Sequence, residues 1–341
     1  MELGSNDAKD ELLTQNPLAS SVVSGAALWQ WRQDARKSAV DAGVPTAEVD
    51  WLLQEVAGLD TLTLRLESFK ERQQIELQQP LPVLSQLWYR RLHDQVPVQY
   101  LAGVTPWRKF SLTVSPAVLI PRPETEYLID LAVDAVRTGL KVSRYVPPAH
   151  LYKVDGSPRQ TEPSNLQLEQ GHWVDLGTGS GAIALGLADA FPFASIHAVD
   201  CSAAALAIAQ QNAQQIDLQR RIQFYEGSWW EPLDDLKGQV SGMVANPPYI
   251  PSSWVPQLQP EVANHEPHLA LDGGSDGLDC IRQLIEASPD YLRPGGVWLI
   301  EMMAGQADTV AHLLHQQGSY CHIQIVSDLA GIDRFALAYR S

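Results

Sequence analysis

The run His172-Trp173-Val174-Asp175-Leu176-Gly177-Thr178-Gly179-Ser180-Gly181 decides the fold. Its first half has the length and apolar character of a buried strand, and its second half is a glycine loop. An Ala/Leu-rich stretch to Ala190 then reads as a helix. The alternation continues downstream. Strands are expected at Ser195–Asp200, Arg221–Tyr225, Gly242–Ala245 and Val297–Met302, with helices at Ala203–Gln215, Leu278–Tyr291 and from about Gln306 to Gln316. His322–Val326 and Arg334–Tyr339 close the chain as a hairpin. Strand–helix alternation of this kind specifies an α/β, doubly wound, Rossmann-like sheet with a C-terminal antiparallel hairpin.

The glycines permit a tight turn and let a ligand approach the backbone. By itself such a loop suits NAD, a flavin or S-adenosylmethionine, but its spacing is G-x-G-x-G and not that of the dinucleotide fingerprint. Asp200 ends the second strand about 20 residues on, where a carboxylate takes ribose hydroxyls. After the third strand comes Ser228-Trp229-Trp230, of which Trp229 is the expected neighbour of a nucleoside. The fourth strand runs into Asn246-Pro247-Pro248-Tyr249. Two prolines cannot extend a sheet or a helix, and they push Asn246 toward an extended conformation. The outcome is a stiff turn at a strand's C-terminal end, where open α/β sheets bind ligands. The Asn246 side chain and the Pro247 carbonyl can accept both hydrogens of a planar NH2 group while Tyr249 covers its face.

Upstream, residues 24–96 read as a small helical bundle. Leu28, Trp31, Ala35 and Ala39 share one face before Gly43. Thr46 is placed to cap the next helix, which carries Val49, Leu52, Leu53 and Val56, and Leu84, Leu87, Trp88 and Leu92 mark a further one. Residues 97–121 are expected as a β-hairpin linker, with strands at Gln99–Gly103 and Lys109–Val114 around a turn containing Pro106. The domain from 122 to 341 opens with Pro123-Glu124-Thr125-Glu126, where Thr125 is placed to cap a helix carrying Leu128, Leu131, Ala132 and Ala135. Residues 1–23 read as a flexible tail and 138–170 as an insertion or long loop. Val262–Pro267 reads as a loop able to close over a substrate, and His265 and His268 as surface histidines.

A formal net charge of −16 argues against broad binding to a phosphate backbone, and hence against a direct nucleic-acid partner. Three widely spaced cysteines suit a reducing compartment, and neither a signal peptide nor a run long enough to cross a bilayer is evident. A cytoplasmic monomer free of membrane is therefore the expectation, with no metal site.

Gln99–Gly103, Ile120–Glu126, Asp175–Gly181, Asn246–Tyr249, Glu266-Pro267 and the closing Asp328–Arg334 together resemble the PrmC (HemK) family. These are the N5-glutamine methyltransferases of peptide-chain release factors. The likeness spans about residues 24–341 outside the insertion, which has no counterpart in the compact bacterial pattern. Ala263 stands where that pattern leads to a basic residue. The resemblance implies a class I methyltransferase sheet. It also implies S-adenosylmethionine held by Gly177, Thr178, Gly179, Ser180, Gly181, Asp200, Trp229 and Asn246, and the glutamine of a Gly-Gly-Gln loop held by Asn246, Pro247, Pro248 and Tyr249. Catalysis would rest on Asn246, Pro247 and Tyr249, with the helical bundle docking the release factor. A DNA or RNA adenine amino-methyltransferase, which uses the same turn on a flipped base, is the alternative. A non-catalytic cofactor-binding module is a third reading.

Overall fold

A computed structural model describes residues 21–138 and 168–341, in two compact units that divide between Ala102 and Gly103. The tail before residue 21 and most of the 138–170 insertion lie outside the described residues.

The first unit is helical. Helices Gly25–Ala42, Ala47–Glu55, Thr61–Leu66 and Leu81–His93 pack around Leu28, Leu52, Leu53, Phe69 and Leu84, all fully buried. Gly43 ends the first helix with a left-handed φ of 69°. Four details depart from the sequence expectation. Val22 and Val23 form β1 (Val22–Val23) and pair antiparallel with β2 (Ile75–Glu76), so the tail ends before them. Arg32 takes the buried place expected for Trp31, and its guanidinium meets Asp50 at 2.7 Å and Glu67 at 2.9 Å. The half-buried Trp31 instead donates its indole N–H to Ser85. Thr46 makes no side-chain cap, because its backbone is already helical (φ −64°, ψ −19°) and Pro45 O accepts from Glu48 N. Finally, Val98–Ala102 is a helix and not the first strand of a hairpin. Pro97 sets it up by offering its carbonyl to the N–H groups of Tyr100 and Leu101.

The second unit begins with a hairpin, β3 (Val104–Trp107) against β4 (Phe110–Thr113). Pro106 lies within β3, opposite Ser111, and the turn is Arg108-Lys109 with Arg108 at φ 51°. Proline is tolerated there because the pair next to a two-residue turn makes the ladder hydrogen bonds and the following pair does not.

The main sheet follows as β5 (His172–Leu176), β6 (Ser195–Asp200), β7 (Ile222–Glu226), β8 (Val240–Ala245), β9 (Leu292–Glu301), β10 (Tyr320–Ser327) and β11 (Asp333–Arg340). Its order is β10-β11-β9-β8-β5-β6-β7. The strands from β9 to β7 in that order are parallel, and β11 and β10 are antiparallel additions. This is the class I methyltransferase fold. The two faces are covered by separate apolar clusters, one around Leu128, Trp173 and Leu185 and one around Met243, Trp298 and Ile300. Trp173 lies across Gly242 in the neighbouring strand, where a Cβ would come within 2.3 Å of its ring. After β5 the chain winds outward through β6 and β7, then returns to place β8 on the other side of β5. That reversal opens a crevice beyond the ends of β5 and β8, Leu176 and Ala245.

Candidate active site

The crevice is a cleft of about 1040 Å³ counted out to open solvent. Gly177, Gly179, Asp200, Trp229, Asn246 and Pro248 line it, together with Ala117, Val118, Leu119, Pro267, Leu269 and Ala270. Thr178, Ser180 and Gly181 do not line it but hold the loop that does, and of the expected turn residues Pro247 and Tyr249 also lie outside the lining. Their backbone shape follows from chirality. Gly177, Gly179 and Gly181 have φ of 77°, 54° and 84°, a region that L side chains rarely enter.

Three polar residues brace this loop. Asp175 is fully buried, and its Oδ2 accepts from Thr178 Oγ1 at 2.6 Å and from Ala184 N at 2.9 Å. Burial pushes its carboxyl up to about 7. Asn212, also fully buried, donates to the Ser180 and Thr113 carbonyls and accepts from Thr113 N, tying the loop to the hairpin. Asp200 accepts from Gly179 N at 2.8 Å and from Ser202 N at 2.9 Å, one bond to each oxygen. Burial raises the Asp200 carboxyl as well. It therefore shapes the glycine loop in addition to facing the cleft. Trp229 is half-buried at φ 50°, with its indole edge over Gly177. Trp230 points into the core, stacks on Tyr291 at 4.4 Å and donates to Ser288.

On the other wall, Asn246-Pro247-Pro248-Tyr249 leaves β8 as a turn held from behind. Gln306 donates its amide to the Tyr249 and Gly277 carbonyls, and Ile250 exchanges backbone hydrogen bonds with Leu271 and Gly273. Gly273 permits this approach, since a Cβ there would lie 2.8 Å from Pro248 O. Asn246 Nδ2 donates to Thr125 Oγ1 at 3.2 Å, Thr125 Oγ1 donates to Glu301 Oε2 at 2.7 Å, and the Tyr249 hydroxyl donates to Glu301 Oε1 at 3.0 Å. Burial raises the Glu301 carboxyl and, with the adjacent Glu301 charge, the Tyr249 phenol. Thr125 thus caps nothing. Its hydroxyl is committed to Glu301 because the sheet register sets Glu301, just after Ile300, beside Asn246, just after Ala245.

The segment expected as a loop at Val262–Pro267 is a short helix, Pro260–His265, followed by the buried Glu266. Glu266 accepts from Ile120 N at 3.2 Å and from Arg122 at 2.5 Å, joining the two segments that edge the cleft. His268 bonds the Ala263 carbonyl, and among the described residues no cluster of His, Cys, Asp or Glu is arranged to hold a metal. Sequence reasoning missed Glu301, Thr125, Gln306 and Asn212 as site residues. For Glu301 a signal existed, since a carboxylate inside the apolar run Val297–Met302 is as conspicuous as Asp200 ending its own strand.

The family model for the methyltransferase small domain matches residues 162–257. The chain is 52% identical over 316 residues to the release factor glutamine methyltransferase of a Synechocystis species, covering 93% of this chain and 97% of that protein. It is 47% identical to the same enzyme of Thermosynechococcus vestitus, covering 93% of this chain and 99% of that one. To that of Geobacter sulfurreducens it is 35% identical, covering 86% and 90%. Among solved structures it resembles the N-terminal domain of human METTL16 in complex with SAH, at 16% identity and a TM-score of 0.45, over 68% of this chain and 75% of that one. A likeness of that degree bears on neither ligand nor substrate.

Proposed function

The chain belongs to the release factor glutamine methyltransferase family, and on that premise we propose that it methylates the side-chain amide nitrogen of the glutamine in the Gly-Gly-Gln motif of peptide-chain release factors, using S-adenosylmethionine. One observation supports this above the others. The turn suited to an amide NH2 opens into the same cleft as the glycine loop, Asp200 and Trp229.

The residues present fit a nucleoside-bearing sulfonium. Gly177 and Gly179 offer bare backbone, Asp200 offers a carboxylate to ribose hydroxyls, and the Trp229 indole offers a flat apolar surface. When bound, S-adenosylmethionine supplies an electrophilic methyl group, and the sulfur keeps the electrons of the bond that breaks. The chain's own task is to prepare the nitrogen. An amide lone pair is delocalised, so orientation in line with the methyl supplies much of the acceleration. Asn246 Oδ1 accepts no hydrogen bond among the described residues, and it and the Pro247 carbonyl take the two substrate N–H groups. They stabilise positive charge as it develops on nitrogen. Tyr249 covers the amide plane. The nitrogen then releases one proton to solvent.

Residues 24–96 serve to dock the release factor, because every residue lining the cleft lies at or beyond Ala117. A protein lacking them would keep its affinity for S-adenosylmethionine and lose methylation of the release factor; lost cofactor affinity in a folded truncation would reverse that division. The reaction itself is tested by supplying labelled S-adenosylmethionine with purified release factor or, separately, with DNA or RNA. Label in the release-factor glutamine is expected. Label in nucleic acid would select the adenine reading, and label in neither would remove the enzymatic one.

A further inference from the structure

A carboxamide is nearly symmetric in shape. Turned over, Asn246 would aim its own NH2 group at the NH2 group that the proposed reaction needs it to hold. Something must fix which way it faces, and the hydrogen-bond chemistry behind it does so. Glu301 is 1% exposed, and both its oxygens accept, Oε2 from Thr125 and Oε1 from Tyr249. An ionised carboxylate only accepts, so the single hydroxyl hydrogen of Thr125 is committed to it. The Thr125 oxygen can then only accept, and its partner is Asn246 Nδ2 at 3.2 Å. The amide nitrogen is thereby held behind the turn, leaving Oδ1 to the cleft. The same carboxylate holds the phenol of Tyr249, whose ring follows Pro248 in the turn.

We infer that Glu301 is the positioning residue of the acceptor site: through Thr125 it fixes the orientation of the Asn246 carboxamide, and directly it fixes the ring of Tyr249. This deepens the function proposed above and rests on it. Burial works against the Glu301 charge, as does neighbouring Glu124, while the hydrogen bonds from Thr125 and Tyr249 and the charge of Arg334 work for it. A buried carboxylate spent only on bracing would be an expensive choice, because apolar packing does that without desolvating a charge. Setting the direction of a hydrogen-bond chain is something apolar packing cannot do.

Glu301→Gln tests the inference with almost no change of shape. Its amide nitrogen would donate either to Thr125 Oγ1, reversing the hydroxyl and turning Asn246 over, or to the Tyr249 oxygen, loosening the ring. The expected result is a fall in kcat of about ten-fold or more, with the Kd for S-adenosylmethionine and the KM for release factor little changed. Thr125→Val should lower kcat in the same way, and Thr125→Ser, which keeps the hydroxyl, should restore most of it. The double variant Glu301→Gln/Thr125→Val should fall no further than Glu301→Gln alone, because both changes break one chain. Undiminished kcat in folded Glu301→Gln, or effects that multiply in the double variant, would overturn the inference while leaving the reaction standing. If Glu301→Gln does not fold, equal activity of Thr125→Val and Thr125→Ser overturns it instead. Wild-type protein that puts no label into release factor would bring down the reaction itself, and this inference with it.

Discussion

Asp200→Asn exchanges one oxygen of the cleft for an NH2 group, and the structure fixes what that group would meet. Asp200 Oδ2 accepts from Gly179 N at 2.8 Å and Oδ1 from Ser202 N at 2.9 Å. Both partners are backbone donors, so either orientation of the asparagine sets a donor against a donor. One charge-assisted bond is lost outright, worth about 1.5–3 kcal/mol. If binding S-adenosylmethionine must restore the loop, that loss corresponds to roughly a 10- to 150-fold weaker affinity. Asp200→Ala removes both bonds but introduces no opposing donor, and water can reach the vacated amides from the cleft. The asparagine variant should therefore bind no better than the alanine variant. Contact with ribose alone gives the opposite ranking, because asparagine keeps an acceptor that alanine lacks. Isothermal titration calorimetry with S-adenosylmethionine and with its demethylated product, on variants shown to be folded by circular dichroism, reads the ranking directly. Asparagine binding clearly better than alanine would refute the bracing role, and two variants with unchanged affinity would remove Asp200 from the site.

Asn246→Ala should lower single-turnover methylation of release factor by about 10²–10³ with the fold intact, whereas Asn246→Asp, which keeps an acceptor oxygen, should retain part of the rate; near-wild-type turnover in the alanine variant would mean that the nitrogen is held elsewhere. His197 is almost fully buried, bonded to His172 at 2.9 Å and to the Tyr225 hydroxyl at 3.1 Å, and burial followed by the neighbouring His172 depresses its pKa to about 4. Since the unfolded imidazole takes its proton near 6.5, the stabilisation is complete above that pH and is lost as pH falls toward 4. It amounts to about 3 kcal/mol. Urea unfolding at stepped pH should show this acid loss shrinking in His197→Gln, and an unchanged pH dependence would contradict it. Gly242→Ala would drive a methyl into the Trp173 ring, so a loss of about 1–3 kcal/mol is expected from denaturant midpoints; an unaltered midpoint would mean that the ring shifts freely.

The sequence by itself determined the doubly wound sheet, the terminal hairpin, and the two loops that meet at the cleft. It also determined the bounds of the sheet's strands to within two residues, except at β9, which starts at Leu292 and not at Val297. These are short-range matters. A strand's apolar run, a helix's period, a glycine at positive φ and a doubled proline each express themselves within about one element's length. The tertiary structure decided what those elements bring together. Thr125 reads locally as a helix cap, and only the sheet places it 3.2 Å from Asn246, 121 residues on, and 2.7 Å from Glu301, 176 residues on. Glu301 reads as an anomaly in an apolar strand until the register of β8 with β9 sets it beside the turn. Asp200 reads as a ribose ligand, and its hold on the glycine loop emerges only when Gly179 folds back over β6. Val98–Ala102 went the other way, since a five-residue run after a proline carries too little periodicity to separate helix from strand. Hydrogen-bond partners distant in the chain leave no periodic trace in it, because what selects them is the register between strands, and that is settled by the packing of the whole sheet.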